Sequence, residues 1–211
     1  MARMNSRKQN RRTLPSRILT KKCSYTILGL SREMKHPLLS AVSILAICLG
    51  SAAQTSTVEY EVKGAFLLNF AKFVDWPPQA FAGAGDPFTF CIAGDAFAGA
   101  LEKVLNAETL NGRRLVVRRI APADKLQGCQ IIYVAASASG QYSQITTLGN
   151  APILTVGETE DFIDSGGMIR FIETGHRIQF QINAAAAERA SLKLSSKLLR
   201  LAEIVRPKGK G

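Results

Sequence analysis

Apolar side chains at Val58, Val62, Ala65, Phe66, Phe70 and Phe73 recur at the repeat of a single helical face. Ser56 with Glu59 three residues on reads as a capping box, which starts this helix near Thr57. Trp76-Pro77-Pro78 stops it. A residue before proline is driven out of the helical region, and proline has no N–H to donate. After a glycine-rich loop at 82–87, the pattern changes to short apolar runs. Residues 88–93, 115–120, 129–134 and 152–156 read as strands, with helical stretches over 96–106 and 139–148 between them. Strands and helices alternating at this spacing predict a parallel sheet.

The period changes again near the C-terminus. Residues 168–172 and 177–182 alternate apolar and polar positions around Glu173-Thr174-Gly175-His176, which predicts a hairpin with one wet face. Asn183 can cap a short alanine-rich helix. A terminal helix should then carry Leu194, Leu198, Leu201 and Val205 in one stripe, ahead of a loose tail at 207–211. The fold class expected is α/β. It is a three-layer sandwich with a mostly parallel sheet, an antiparallel C-terminal hairpin at its edge, and helices on both faces.

The segment before the first helix bears on compartment. Met34-Lys35-His36, an apolar run over 37–50 and Ser51-Ala52-Ala53 are the three parts of a secretory signal peptide. That run is short of the roughly 20 residues that span a bilayer. Residues 1–53 are thus expected to be a leader with its signal core at 34–53, cut after Ala52 or Ala53. A buried core helix is the alternative. Met34 competes with Met1 as the true start. The chain holds 27 Lys and Arg against 16 Asp and Glu, for a formal net charge of +11. Ten of those basic residues and one acid fall in 1–53, so residues 54–211 keep 17 against 15. The basic excess leaves with the leader, and with it the case for a nucleic-acid partner. Residues 54–206 are expected to form one domain.

Longer strings carry a resemblance. Val62-Lys63-Gly64-Ala65-Phe66-Leu67-Leu68-Asn69-Phe70-Ala71-Lys72-Phe73-Val74-Asp75-Trp76-Pro77 resembles the opening signature of the YfiR family of periplasmic regulators. Further blocks follow in family order: Phe90-Cys91-Ile92-Ala93-Gly94-Asp95, Gly128-Cys129, Ile153-Leu154-Thr155-Val156-Gly157, Gly166-Gly167-Met168-Ile169 and Arg189-Ala190-Ser191-Leu192. Gly64 departs from the pattern, where alanine is expected. A mid-helix glycine costs about 1 kcal/mol, so a close backbone contact is expected there.

The resemblance implies a periplasmic protein that represses an inner-membrane diguanylate cyclase by binding its periplasmic sensor domain. Release under envelope or redox stress would raise cyclic di-guanylate and favour surface attachment and biofilm. A histidine kinase is the alternative receptor, and a homodimer is admissible. No membrane insertion is expected once the leader is removed. The family also places cysteines where this chain has Cys91 and Cys129, which implies a disulfide. Two separate buried thiols are the alternative.

Candidate chemistry is sparse. Gly94, Asp95 and Gly99 follow a strand and open a helix, a turn where a ligand phosphate can rest, although most such turns are only tight turns. The turn lacks the Lys and Ser/Thr of a P-loop. His176 is placed in a hairpin turn, and Ser195-Ser196 at a helix start suit capping. No nucleophile, metal set or cofactor site stands out, so no enzyme activity is expected. Trp76 is the best candidate for a partner-binding anchor. Phe73 and Lys63 are candidates beside it, with core packing as the alternative for the rings.

Overall fold

The computed structural model describes residues 51–141, 148–175 and 177–207. Residues 1–50 of the leader expected over 1–53, and His176, lie outside this range. The first helix, α1, spans Ser51–Phe73. It begins six residues before the expected start, so Ser56 lies inside it and not at a cap. Ser51-Ala52-Ala53-Gln54 contains no glycine, proline or β-branched residue to halt the helix.

The same helix ends at Phe73, three residues before Trp76. The competing element is a ladder: β1 (Val74–Asp75) pairs antiparallel with β9 (Lys193–Leu194). The Ser195 N–H donates to the Phe73 carbonyl at 3.0 Å, which fixes the stop. Pro78 then opens a 3-10 turn over Pro78–Ala80.

The buried stripe of α1 keeps Phe70 of the expected one, with Phe66 and Phe73 half-buried against the core, but leaves out its other three positions. Lys63, Gly64, Leu67, Leu68, Phe70 and Ala71 are buried, while Ala65 is exposed and Val58 and Val62 stand 60% and 41% exposed. The tertiary neighbours decide this rotation. Phe66 and Phe70 pack on Phe171 and Phe180 with ring centroids 5.1–5.9 Å apart across the helix–sheet boundary. On the other flank α2 (Ala100–Leu105) closes on Gly64, where a Cβ would lie 3.4 Å from Val104 Cγ2 and 3.7 Å from the Leu101 Cα. The glycine sits at the close helix–helix approach expected from its departure from alanine.

Eight strands form the main sheet. They are β2 (Phe88–Ala93), β3 (Thr109–Leu110), β4 (Arg113–Ile120), β5 (Ile131–Val134), β6 (Leu154–Gly157), β7 (Ile169–Thr174), β8 (Arg177–Ile182) and β10 (Glu203–Ile204). Their order is β10-β8-β7-β6-β5-β2-β4-β3. Strands β4, β2, β5, β6 and β7 run parallel, and β7–β8 is the antiparallel hairpin. The two-residue β10 lies beyond the hairpin, parallel to β8. The α/β class with a mostly parallel sheet stands.

Alternate strand residues face two cores, as a buried parallel sheet requires. Phe88, Phe90, Ile92, Ile131, Tyr133, Leu154 and Val156 join α1 and α2 on one side. Cys91, Ala93, Ile132 and Val134 face the other, beneath Ala138 and Phe162. That second face carries a 3-10 turn over Ala136–Gln141, and residues 142–147 of the helix expected at 139–148 lie outside the described range.

Two other elements differ from expectation. The helix expected at 96–106 is only α2, because Phe97 turns inward and is 1% exposed. Its ring meets Tyr60 tilted at 5.2 Å and Tyr133 edge-on at 4.8 Å. The backbone at Phe97 and Ala98 takes φ of 67° and 37°, so helix starts only after Gly99.

The leucine stripe expected at the C-terminus is broken between β9, the last helix and the residue after β10. Leu194 is in β9, Leu198 is buried in α4 (Ser196–Leu201), and Leu201 is 70% exposed. Val205 donates its N–H to the Ile182 carbonyl at 2.9 Å, so strand pairing with β8 displaces further helix. Caps expected at two helices are formed. The Asn183 side chain accepts from the Ala186 N–H ahead of α3 (Ala184–Arg189), and the Ser195 side chain accepts from the Leu198 N–H ahead of α4.

Candidate functional site

The Lys63 side chain is only 4% exposed, an unusual state for an ammonium. Two carboxylates hold it there. Glu59, one turn earlier on α1, accepts a hydrogen bond from Nζ. Glu158, just past β6, lies 3.2 Å away. The Tyr60 ring faces the same ammonium at 5.1 Å, within cation–π range. Burial alone pulls the Lys63 pKa down, but the combined attraction of Glu59 and Glu158 outweighs it and lifts the group above its usual 10.5.

Glu158 shows the opposite balance. Burial pushes its carboxyl above the usual 4.5, Lys63 opposes the rise, and the negative charges of Glu59 and Glu173 add to it. Its Oε1 is buried with no hydrogen-bond partner among the described residues. Burial, followed by the charge of Glu158, also raises the Tyr60 phenol. The cluster therefore carries one positive and two negative side chains and fastens α1 to the end of β6. Lys63, a candidate for partner binding, is engaged inside the chain. Glu59, Tyr60 and Glu158 are its unforeseen companions. Only Glu59, at i−4 on the same helix, left a signal in the sequence.

Trp76 is half-buried. Its Nε1 donates to the Ala71 carbonyl at 3.0 Å and its ring meets Phe88 edge-on at 5.0 Å. Phe73 is half-buried against the same core. Among the described residues, the large apolar side chains most open to solvent are instead Val58, Val62, Leu201 and Ile204.

The turn at Gly94 borders a cavity of about 590 Å³ at the carboxyl ends of β2 and β4. Gly94, Asp95, Phe97, Tyr60, Lys103 and Arg119 line it. Gly94 has φ 84°, and a Cβ there would fall 2.7 Å from that of Ala138, so no side chain fits. Arg119 is tethered to the Ala96 carbonyl and to Glu102 at 3.4 Å. The cavity is of a size that takes a small molecule. Gly99 does not line it but caps α2 with φ 90°.

Cys91 and Cys129 are joined in a disulfide, with Cα atoms 5.8 Å apart. Cys91 lies in β2 and Cys129 ends the loop before β5, so parallel pairing of β2 with β5 brings them together. Among the described residues, no group of His, Cys, Asp and Glu gathers at metal-binding distance, and no helix is long and apolar enough to cross a membrane.

A search of curated proteins finds no match. Residues 60–203 match the family model described as YfiR/HmsC-like. The matched span runs from the middle of α1 into β10, so it takes in the Lys63 cluster, the disulfide and the whole main sheet up to its last strand. On that match, over well more than half its length, the chain belongs to the YfiR/HmsC-like family.

Proposed function

We propose that the chain is a periplasmic regulatory binding protein that represses an inner-membrane diguanylate cyclase by docking on its periplasmic sensor domain. The observation that carries this reading is the family match over residues 60–203. The exposed Val58 and Val62 on α1 support it as apolar surface open to a partner. Repression would be a population shift, with the protein binding the inactive conformation of the cyclase more tightly than the active one. Trp76 and Phe73 join that surface only if the partner displaces their present packing. Secretion through the leader at 34–53 is part of the same reading.

The test is capture of solubilised inner-membrane proteins on the tagged chain, together with cyclic di-guanylate levels in cells with and without it. Recovery of a cyclase and a rise in the nucleotide on deletion are expected. Recovery of no membrane signalling protein, with nucleotide levels unchanged, refutes the reading. A second reading is a small-molecule binder that signals to another membrane receptor such as a histidine kinase. The cavity over Gly94 and Asp95 favours it, and ligand-dependent thermal stabilisation would reveal it.

A further inference from the structure

In an open parallel sheet, ligands gather outside the carboxyl ends of the strands, where the strand order reverses. Here the chain passes from β2 to β4 on one side and returns to β5 on the other, so the reversal lies at β2. The β5 side of that crevice is closed. Ala138 and Ser137 crowd Gly94, where a Cβ would meet their side-chain atoms at 2.7 Å and 3.0 Å. Space remains on the β4 side, in the cavity of about 590 Å³. Ile92, Phe97 and Ile120 give it apolar walls. Three charged side chains join them, Lys103, Arg119 and Asp95, a net of one positive charge.

The two cations are held differently. Arg119 is the ladder partner of Ile92, and its Nη1 donates to the Ala96 carbonyl. Its contact with Glu102 is long, at 3.4 Å, and exposed, so that carboxylate offsets little of its charge. A guanidinium has five N–H donors, and these two contacts leave others for a ligand. Lys103 reaches the cavity from α2. Among the described residues, no carboxylate forms an ion pair with it. Asp95, exposed in the turn after β2, supplies the opposing charge.

We propose that this cavity binds a small monocarboxylate with an apolar body. The carboxylate accepts hydrogen bonds from Arg119 and Lys103, and the body lies against Ile92, Phe97 and Ile120. Pairing of a planar guanidinium with a carboxylate fixes orientation as well as adding attraction. Asp95 repels a second negative charge, which disfavours dicarboxylates and phosphate dianions. This inference rests on the small-molecule reading of the chain and names the class of ligand.

The test is calorimetric titration of the full chain with hexanoate and benzoate, against hexanol, benzyl alcohol and succinate, at low ionic strength. A thermal-shift scan of neutral and cationic compounds accompanies it. The alcohols and succinate should bind at least about tenfold more weakly than the monocarboxylates. Lys103→Met and Arg119→Gln should each weaken monocarboxylate binding about tenfold and leave the alcohols unchanged. Lys103 is exposed and forms no ion pair, so its variant keeps the fold; Arg119→Gln also removes the Ala96 tether, and circular dichroism reports on its fold. Asp95→Asn should bring succinate closer to the monocarboxylates. No binding of either monocarboxylate, equal binding of acids and alcohols, or an affinity that Lys103→Met leaves in place overturns the proposal. If neutral or cationic compounds still stabilise the chain, the small-molecule reading survives without it; if no compound does, both fall.

Discussion

Replacing Lys63 with methionine tests whether the buried cluster holds α1 to the sheet. The substitution keeps the length and apolar stem of the side chain and removes the charge. Glu59 and Glu158 then face each other without a cation. Removing one partner of a fully buried ion pair costs about 3–5 kcal/mol. Here the carboxylate side chains are 25% and 16% exposed, so water recovers part of that and the expected loss is about 2–3 kcal/mol near neutral pH. For a domain of this size that lowers Tm by roughly 5–10 °C.

The pH dependence makes the test specific. The Glu158 pKa is raised in the folded chain, so the stability linked to it is fully present below the usual 4.5 and is lost as pH rises through the folded value. Without Lys63 that folded value rises further. The cost of Lys63→Met should therefore be largest near neutral pH and shrink as acid protonates Glu158. Urea titrations of parent and variant near pH 7.5 and near pH 4.5 read this directly, with an unchanged m-value showing that compactness is preserved. A loss under about 0.5 kcal/mol at neutral pH, or a loss of the same size at both pH values, refutes the argument.

Other expectations follow from the same packing. Replacing Cys91 and Cys129 together with alanine releases a 38-residue separation and should cost about 4 kcal/mol in chemical denaturation; a loss under about 1 kcal/mol would mean the crosslink does not constrain the unfolded chain. Gly157→Ala would place a Cβ 2.4 Å from the Phe162 ring, and the overpacking should cost about 1–3 kcal/mol in thermal denaturation, with any gain in Tm contradicting the fit. Val62→Asp changes an exposed position, so stability should stay within about 0.5 kcal/mol while capture of the membrane partner falls; undiminished capture removes Val62 from the interface.

Much of the fold is legible where local chemistry is strong. The run at 88–93 has the same bounds as β2, and the hairpin register follows from alternation around Gly175. The caps at Asn183 and Ser195 are short-range hydrogen bonds that their own neighbours dictate. Element limits were less legible where a distant segment competes. Nothing near Phe73 says that residues 193–195 will end α1, and nothing near Phe97 says that its ring will leave a helix for Tyr133.

The candidate site divides the same way. The turn at Gly94 was legible as a tight backbone corner because glycine there is local, but the cavity beside it needs Tyr60 and Arg119 from other elements. Periodicity found α1 as a helix and caught half of its buried side, Phe66, Phe70 and Phe73, since six apolar positions spread round a helix admit more than one stripe. Packing on Phe171, Phe180 and Leu101 selected the stripe that contains Lys63. The family blocks brought Cys91 and Cys129 into view as a pair, while Arg119 gave no hint of itself among the other basic residues of β4.

What the amino-acid order determines alone is α1 as a helix, the longer strands β2 and β4 to β8, the caps at Asn183 and Ser195 and the α/β class, because these rest on neighbours a few residues apart. Which face of α1 is dry, where Lys63 puts its charge and which charges line the cavity were decided only on folding. Those are contacts between segments as far apart in the chain as Phe66 and Phe180, whose closure is favoured only by the burial that the complete sheet provides.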